Sequence, residues 1–273
     1  MSLAHPSELI AFLDQIDAAP RKSLSQNFLI DANILQKIVK LAGIDKHDQV
    51  LEIGPGPGAL TQELLKAEAR VIAIEKDLKF ARALPRLQVD GRLQTYEADF
   101  LKFPISEHLE KLAPMKVVAN LPYHITTPII ERLCDHFSLF SSAWIMVQKE
   151  LADRMTAHPG TKEMSSFTIF LQTYCKPTLA LKVSRHCFFP VPKVDSCVMR
   201  LDFHPPRVDD PKSFLALVRR AFQQRRKMLR STLSIQQESF ATKRPEALSF
   251  DDWLVIYHLI NEKSGPIGPS TYT

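Results

Sequence analysis

The chain has 273 residues, 45% of them hydrophobic, and a net charge of +5, which suits one large domain with a smaller one or two of middle size. No apolar run approaches the roughly 20 residues of a membrane helix, and the opening MSLAHPSELIAFLD has no basic stretch followed by an apolar one, so neither a membrane span nor a secretory signal is read. Cys134, Cys175, Cys187 and Cys197 are dispersed without a CxxC, and the nine histidines form no HExxH; the expectation is no metal and a reducing, cytoplasmic setting.

After an arm over 1–20, residues 31–42 (DANILQKIVKLA) carry apolar side chains at 34, 35, 38, 39 and 42. That is helical spacing, with Asp31 as N-cap and Gly43 as stop. QVLEI (49–53) is a short buried strand running through GPGPG into a helix. RVIAIEKD (70–77) is a second strand, LQTYEAD (93–99) a third after an intervening helix, and KVVANLPY a fourth. TPIIERLCDHF (127–137) reads as a helix, AWIMVQ (143–148) as a fifth strand, KELADRMTA as another helix and SCVMRLDF (196–203) as a late strand. Strands apolar on both faces and alternating with helices predict an α/β fold with a parallel sheet. His204, Pro205 and Pro206 break the pattern, placing a boundary near 205. Beyond it, Asp210 caps a helix with Pro211 at its first position and apolar residues at 214, 217, 218, 221 and 222. A Gly/Pro/Ser tail at 264–270 is expected to fray.

LEIGPGPGAL sets Gly54, Gly56 and Gly58 between a strand and a helix, where glycine permits a tight turn and a close ligand approach. With Ala59 and with Glu75 about 20 residues on, it also meets the dinucleotide pattern, so a hydride-transfer enzyme is a competing reading. Glu75 can accept from two ribose hydroxyls, and Asp99 or its neighbouring backbone can read an adenine edge. Three strand ends carrying Gly, Glu and Asp make a crevice at the carboxyl edge of a sheet, suited to an adenosine-containing ligand. The fourth strand delivers VVANLPYHI (117–125) to the same crevice. Alone, that stretch is equally a turn. Within the crevice, the Asn120 side-chain oxygen and the Leu121 carbonyl can accept both hydrogens of an adenine amine, freeing its delocalised lone pair. Pro122 restricts Leu121, and Tyr123 offers a face for a flipped base. His124 as general base is weighed against a packing role, and packing is favoured. SLSQNFLIDAN can simply start a helix, with Ile30 and Leu35 as a hydrophobic staple; FFPVPKVDS (188–196) can simply enter an edge strand.

SLSQNFL, LEIGPGPGALT, IEKD, ADF, NLPYHITTPI and FFPVPKVDS, in this order over roughly 21–235, resemble the ribosomal RNA adenine N6,N6-dimethyltransferase family. The resemblance implies a class I, Rossmann-like methyltransferase sheet using S-adenosyl-L-methionine over 21–204, releasing S-adenosyl-L-homocysteine, with a small helical C-terminal domain over 205–273. It implies cofactor contacts at Asn27, Leu29, Gly54, Glu75, Asp99 and Asn120, to which the residue reading adds Gly56 and a lid from Gln26 to Leu29. It places Phe188 on the face of the target base opposite Tyr123, making Asn120, Leu121, Pro122, Tyr123 and Phe188 the catalytic set. Val191 stands where a third proline is commoner, His124 where Asn is frequent and Ser231 where Asn is frequent. Within the family the match is to the bacterial small-subunit type, which dimethylates two adjacent adenosines in the 3′-terminal hairpin loop of 16S rRNA, in the subunit or its assembly precursor.

RRAFQQRRKMLR supplies Arg219, Arg220, Arg225, Arg226, Lys227 and Arg230 with no acid among them, on what reads as one helix. RNA phosphate binding is expected, with a slope of log K against log salt of at most about −4 if all six contact single-strand-like phosphates. The rival functions are a large-subunit rRNA dimethylase of macrolide-resistance type and a non-catalytic RNA- or DNA-binding protein of the same fold. A monomer without membrane attachment is expected.

Overall fold

The structure, a computed structural model, describes residues 3–21 and 26–264. Residues 23–25 of the SLSQNFL stretch, and 265–270 of the tail expected to fray, lie outside them. The chain divides into two compact units, 1–152 with 175–205, and 153–174 with 206–273. Residues 153–174, which the sequence reading assigns to the first unit, therefore belong to the second.

The first unit is built on a seven-stranded sheet. Its strands are β2 (Gln49–Ile53), β3 (Arg70–Glu75), β4 (Leu93–Glu97), β5 (Met115–Asn120), β6 (Phe140–Gln148), β7 (Cys175–Val183) and β9 (Ser196–Phe203), in the order β4-β3-β2-β5-β6-β9-β7. The first five run parallel, and β9 pairs antiparallel with both β6 and β7. Val50, Leu51, Val71, Ile72, Val117 and Val118 are all buried, because helices cover both faces of a parallel sheet. From β2 the chain builds outward through β3 to β4, then returns to place β5 on the other side of β2. That reversal leaves a crevice beyond the carboxyl ends of β2 and β5.

Helix α2 (Ala32–Leu41) begins where Asp31 accepts the Ile34 N–H at 3.0 Å, as a helix cap requires. The glycine turn leads into α3 (Ala59–Lys66), whose N-cap Gly58 has φ +97°. Gly58 is favoured by that left-handed conformation, and a Cβ there, 2.5 Å from a Leu87 methyl, would also push the leucine side chain aside. Helices α4 (Leu78–Ala83), α5 (Ile105–Leu109), α6 (Thr126–Asp135) and α7 (Lys149–Met155) follow along the chain.

Within the first unit, the arm, a small second sheet and an edge strand differ from the sequence reading. The N-terminal arm is largely a helix, α1 (Pro6–Gln15), whose buried Leu9, Phe12 and Leu13 pack with Leu3, Phe28 and Phe80. A two-stranded sheet joins β1 (Phe28–Leu29) to β8 (Phe188–Phe189), with Leu29 opposite Phe188. Strand β7 was not foreseen because Pro177 interrupts it; an edge strand tolerates the missing N–H.

In the second unit, α8 (Ser166–Tyr174) and α9 (Pro211–Gln223) are followed by α10 (Leu229–Thr232), α11 (Glu238–Ala241) and α12 (Phe250–Ser264). Asp210 accepts the Ser213 N–H at 3.1 Å and Pro211 sits in the first turn of α9. Phe214 meets Phe250 and Tyr257 of α12, each at a ring distance of 5.6 Å, and Trp253 is fully buried. The basic run is not one helix, since α9 ends at Gln223 and the chain turns before α10 begins.

Candidate active site

Four strand ends converge on one cleft of the first unit. β2 contributes Glu52, Ile53 and the Gly54–Gly56 turn; β3 contributes Glu75. Asp99 lies just beyond β4, and β5 ends in Asn120, followed by Leu121, Pro122 and Tyr123. Gln26, Asn27 and Leu29 line the same cleft from the β1 segment. Phe188 does not line it: the ring is 1% exposed and packed in the core with Leu29 and Trp144.

The glycine turn is held open by its neighbours. Gly56 has φ +56°, and a Cβ on it would lie 3.2 Å from the Phe28 ring. Its N–H donates to Glu75 Oε2 at 2.8 Å, while Glu75 Oε1 accepts the Asp77 N–H at 2.7 Å. Each carboxylate oxygen has a second lone pair, so the two backbone bonds orient Glu75 without exhausting it. Burial pushes the Glu75 carboxyl upward, opposed by the Asp77 and Gly56 N–H groups. For Asp99, burial also pushes upward, but the Lys76 ammonium at 2.9 Å and the Leu101 N–H at 3.0 Å outweigh it, and the carboxyl lies below its ordinary range.

At the end of β5, Asn120 Nδ2 donates to the Asn27 carbonyl at 3.1 Å. A carbonyl can only accept, so this contact requires the amide nitrogen on that side and turns Oδ1 the other way. Asn27 is itself held through its neighbours: the 28–29 strand pairs with β8, and Ile30 N–H donates to Cys187 O at 2.8 Å. The carbonyl of Pro122 is taken by Ile125 N–H at 3.2 Å and by the buried Thr126 hydroxyl at 3.0 Å. Tyr123 is half-buried with its phenol 2.7 Å from Ser196 Oγ, and His124 beside it is exposed.

The sequence reading passed over two parts of this cleft. Glu52 is 1% exposed and accepts from the Thr61 hydroxyl at 2.7 Å. Burial dominates its titration and, with the nearby Glu75 charge and against the Thr61 hydrogen bond, raises its pKa to about 8. A carboxyl inside a five-residue apolar strand was the available signal. The other part is the N-terminal arm, which brings Leu3 and, from α1, Leu9 to the cleft. Arg86 ties α1 to the glycine turn, its guanidinium 3.9 Å from the Phe12 ring and 2.6 Å from the Pro57 carbonyl.

In the second unit, Arg219 and Arg220 are exposed on α9, Arg226 and Lys227 in the following turn, and Arg230 on α10. Arg225 faces inward, donating to the Lys162 carbonyl at 2.7 Å with Glu246 3.7 Å away. Among the described residues no group of three or more His, Cys, Asp or Glu could hold a metal ion, and no helix is long and apolar enough to cross a membrane.

The cleft residues fit a nucleoside cofactor. The turn gives close backbone approach, Glu75 and Asp99 give two acidic strand ends, and Asn120 stands across from them. The family model for ribosomal RNA adenine dimethylase matches residues 18–250. A protein of Protochlamydia amoebophila named ribosomal RNA small subunit methyltransferase A is 46% identical over 278 residues, covering 94% of this chain and 97% of its own. Among solved structures, a dimethyladenosine transferase from Plasmodium falciparum superposes with a TM-score of 0.72 at 29% identity, over 85% of this chain and 96% of that one. The 23S rRNA methyltransferase ErmE does so with a TM-score of 0.69 at 25% identity, over 86% and 99%.

Proposed function

The chain belongs to the ribosomal RNA adenine dimethylase family, and we propose that it transfers methyl groups from S-adenosylmethionine to N6 of two adjacent adenosines in the 3′-terminal hairpin loop of 16S rRNA. Small-subunit rRNA is chosen over the large-subunit alternative because the small-subunit relative is 46% identical over nearly the whole chain, against 25% for the 23S enzyme. The protein acts as a cytoplasmic monomer on the subunit or its assembly precursor.

The orientation of Asn120 is the observation that carries the reading. With Nδ2 committed to the Asn27 carbonyl, Oδ1 is available to accept from an adenine N6–H. The Leu121 carbonyl accepts the second hydrogen, since that of Pro122 is occupied within its own turn. Two acceptors draw the amine toward tetrahedral geometry and localise its lone pair. Bound S-adenosylmethionine supplies an electrophilic methyl group on a sulfonium centre. The chain's part is to position the amine and exclude water; the displaced proton leaves from nitrogen after transfer, so no strong base is required. Gln26, Asn27, Leu29, Gly54, Gly56, Glu75 and Asp99 would hold the cofactor, and Glu75 would accept from ribose hydroxyls. Tyr123 stacks against the flipped adenine. Phe188 supports the far side of the site through its pairing with Leu29, and stacking by its ring would require it to leave the core. Arg219, Arg220, Arg226, Lys227 and Arg230 neutralise RNA phosphates.

The test uses small subunits from a strain lacking this methylation, incubated with the protein and S-adenosylmethionine and digested for mass spectrometry. N6,N6-dimethyladenosine from the 3′-terminal hairpin is the expected product. Its absence there, with product on large subunits, would move the assignment to the other subunit.

A further inference from the structure

Ser196 lies 73 positions from Tyr123 in sequence, yet its hydroxyl is 2.7 Å from the Tyr123 phenol. It is 1% exposed, and among the described residues Tyr123 is the hydrogen-bond partner of its side chain. As the first residue of β9 it stands between Gln148 of β6 and Val183 of β7, so its backbone is paired on both sides. The residue before it is fixed as well: Asp195 O accepts the Lys149 N–H at 3.0 Å, and Asp195 Oδ1 accepts the Arg185 N–H at 3.0 Å. Ser196 is therefore a rigid anchor.

At the other end of the ring, the Tyr123 backbone leaves Pro122 in a tight turn closed by Ile125 N–H and Thr126 Oγ1, both on the Pro122 carbonyl. The phenol oxygen lies on the axis of the second rotatable bond, so holding it and Cα together fixes the first torsion and the line along which the ring lies, while the ring's turn about that line is left to its packing. We infer that Ser196 is a positioning residue for methyl transfer, fixing through the Tyr123 phenol the place and axis of the ring against which the target adenine stacks. This rests on the function proposed above. It also assigns work to the serine that closes FFPVPKVDS: the proline-stiffened segment feeds a strand whose first hydroxyl reaches the tyrosine of NLPY. Burial pushes the phenol's pKa up, against the Ser196 hydrogen bond, so the contact persists across the neutral range.

A purely structural serine and a positioning serine predict different kinetics. Phosphate contacts set the affinity for the subunit, whereas ring orientation sets the approach of N6 to the methyl group. Wild type, Ser196→Ala, Tyr123→Phe, the double variant and Ser196→Thr are compared on small subunits lacking the modification, measuring kcat, subunit affinity and thermal midpoint. Loss of one hydrogen bond that orients the ring is expected to lower kcat about tenfold in each single variant. Subunit affinity should stay within about twofold. The double variant should be no slower than the slower single variant, because both remove the same contact, and Ser196→Thr, which keeps a hydroxyl, should recover most of the rate. Unchanged kcat in Ser196→Ala, additive losses in the double variant, or a loss that tracks the thermal midpoint would each overturn the inference. If wild type itself yields no dimethyladenosine, the proposed function falls and takes this inference with it.

Discussion

The cleft of the first unit and the basic segment of the second hold their polar groups in opposite ways. Around the cleft, Glu52, Glu75 and Asn120 each sit on a fixed partner, and two of the three are almost wholly buried. Along 219–230, five of the six cations are exposed, and Arg225 is turned into its own unit. Buried, oriented groups act at one atom, so removing one should stop a step outright. In the proposed function the exposed cations share a diffuse task, so removing one should cost a fraction of an affinity.

The largest test of that contrast is Asn120→Ala. It deletes one of the two acceptors proposed for the amine, and a lost preorganised hydrogen bond of this kind lowers turnover about 10²–10³-fold. RNA affinity should be unaffected, because no phosphate contact is removed. Single-turnover rates and filter binding on the same preparation check both halves; undiminished turnover would remove Asn120 from the chemistry.

Glu52 sharpens the comparison through pH. Its carboxyl rises from an ordinary 4.5 to about 8 in the fold. Between those values the folded chain holds a proton that the unfolded chain releases. Its contribution to stability is thus complete below pH 4.5 and declines as pH climbs toward 8, by at most about 1.4 kcal/mol per pH unit. Glu52→Gln keeps the shape and cannot ionise, so its thermal midpoint should fall less between pH 5 and 8 than that of the ligand-free wild type. Parallel curves for the two proteins would show that Glu52 does not titrate there.

Gly58→Ala probes the turn at a smaller scale. A left-handed φ of +97° and a Cβ placed 2.5 Å from a Leu87 methyl together should cost about 1–3 kcal/mol of stability. Denaturant unfolding would report that, and S-adenosylhomocysteine titration should show weaker binding as the turn shifts. A variant as stable as wild type would mean that the Leu84–Leu87 turn yields easily.

How far each region is legible in the sequence follows from the range of its determinants. The glycine turn, Glu75, Asp99 and Asn120 sit at fixed offsets from apolar strands, and a parallel sheet gathers its carboxyl ends at one edge, so local reading suffices for them. The Ser196 contact depends on pairing across β6, β9 and β7, which no local pattern encodes. Leu9, Phe12 and Leu13 do carry helical spacing, but their burial depends on Phe28 and Phe80 far along the chain. Phe188 is different: an aromatic two residues before a proline reads the same whether it faces a ligand or Leu29. The basic run was read as one helix because charge spacing carries no stop signal, and the chain turns at Gln224 with no glycine to announce it.

The smallest effects lie in that run, and they separate Arg225 from its neighbours. Replacing Arg226, Lys227 and Arg230 together by Gln should flatten the dependence of log K on log salt by about 2, from about 0.7 per phosphate contact, with the thermal midpoint unchanged. Arg225→Gln should do the reverse. It loses the bond to the Lys162 carbonyl and the charge facing Glu246, which destabilises by about 1 kcal/mol and leaves the salt slope as it was. Neighbouring arginines, 225 and 226, would then report on folding and on binding separately. If both variants change only the salt slope, Arg225 leaves its inward site when RNA binds, and the contrast between an anchored cleft and a diffuse basic surface would extend to every cation of the run.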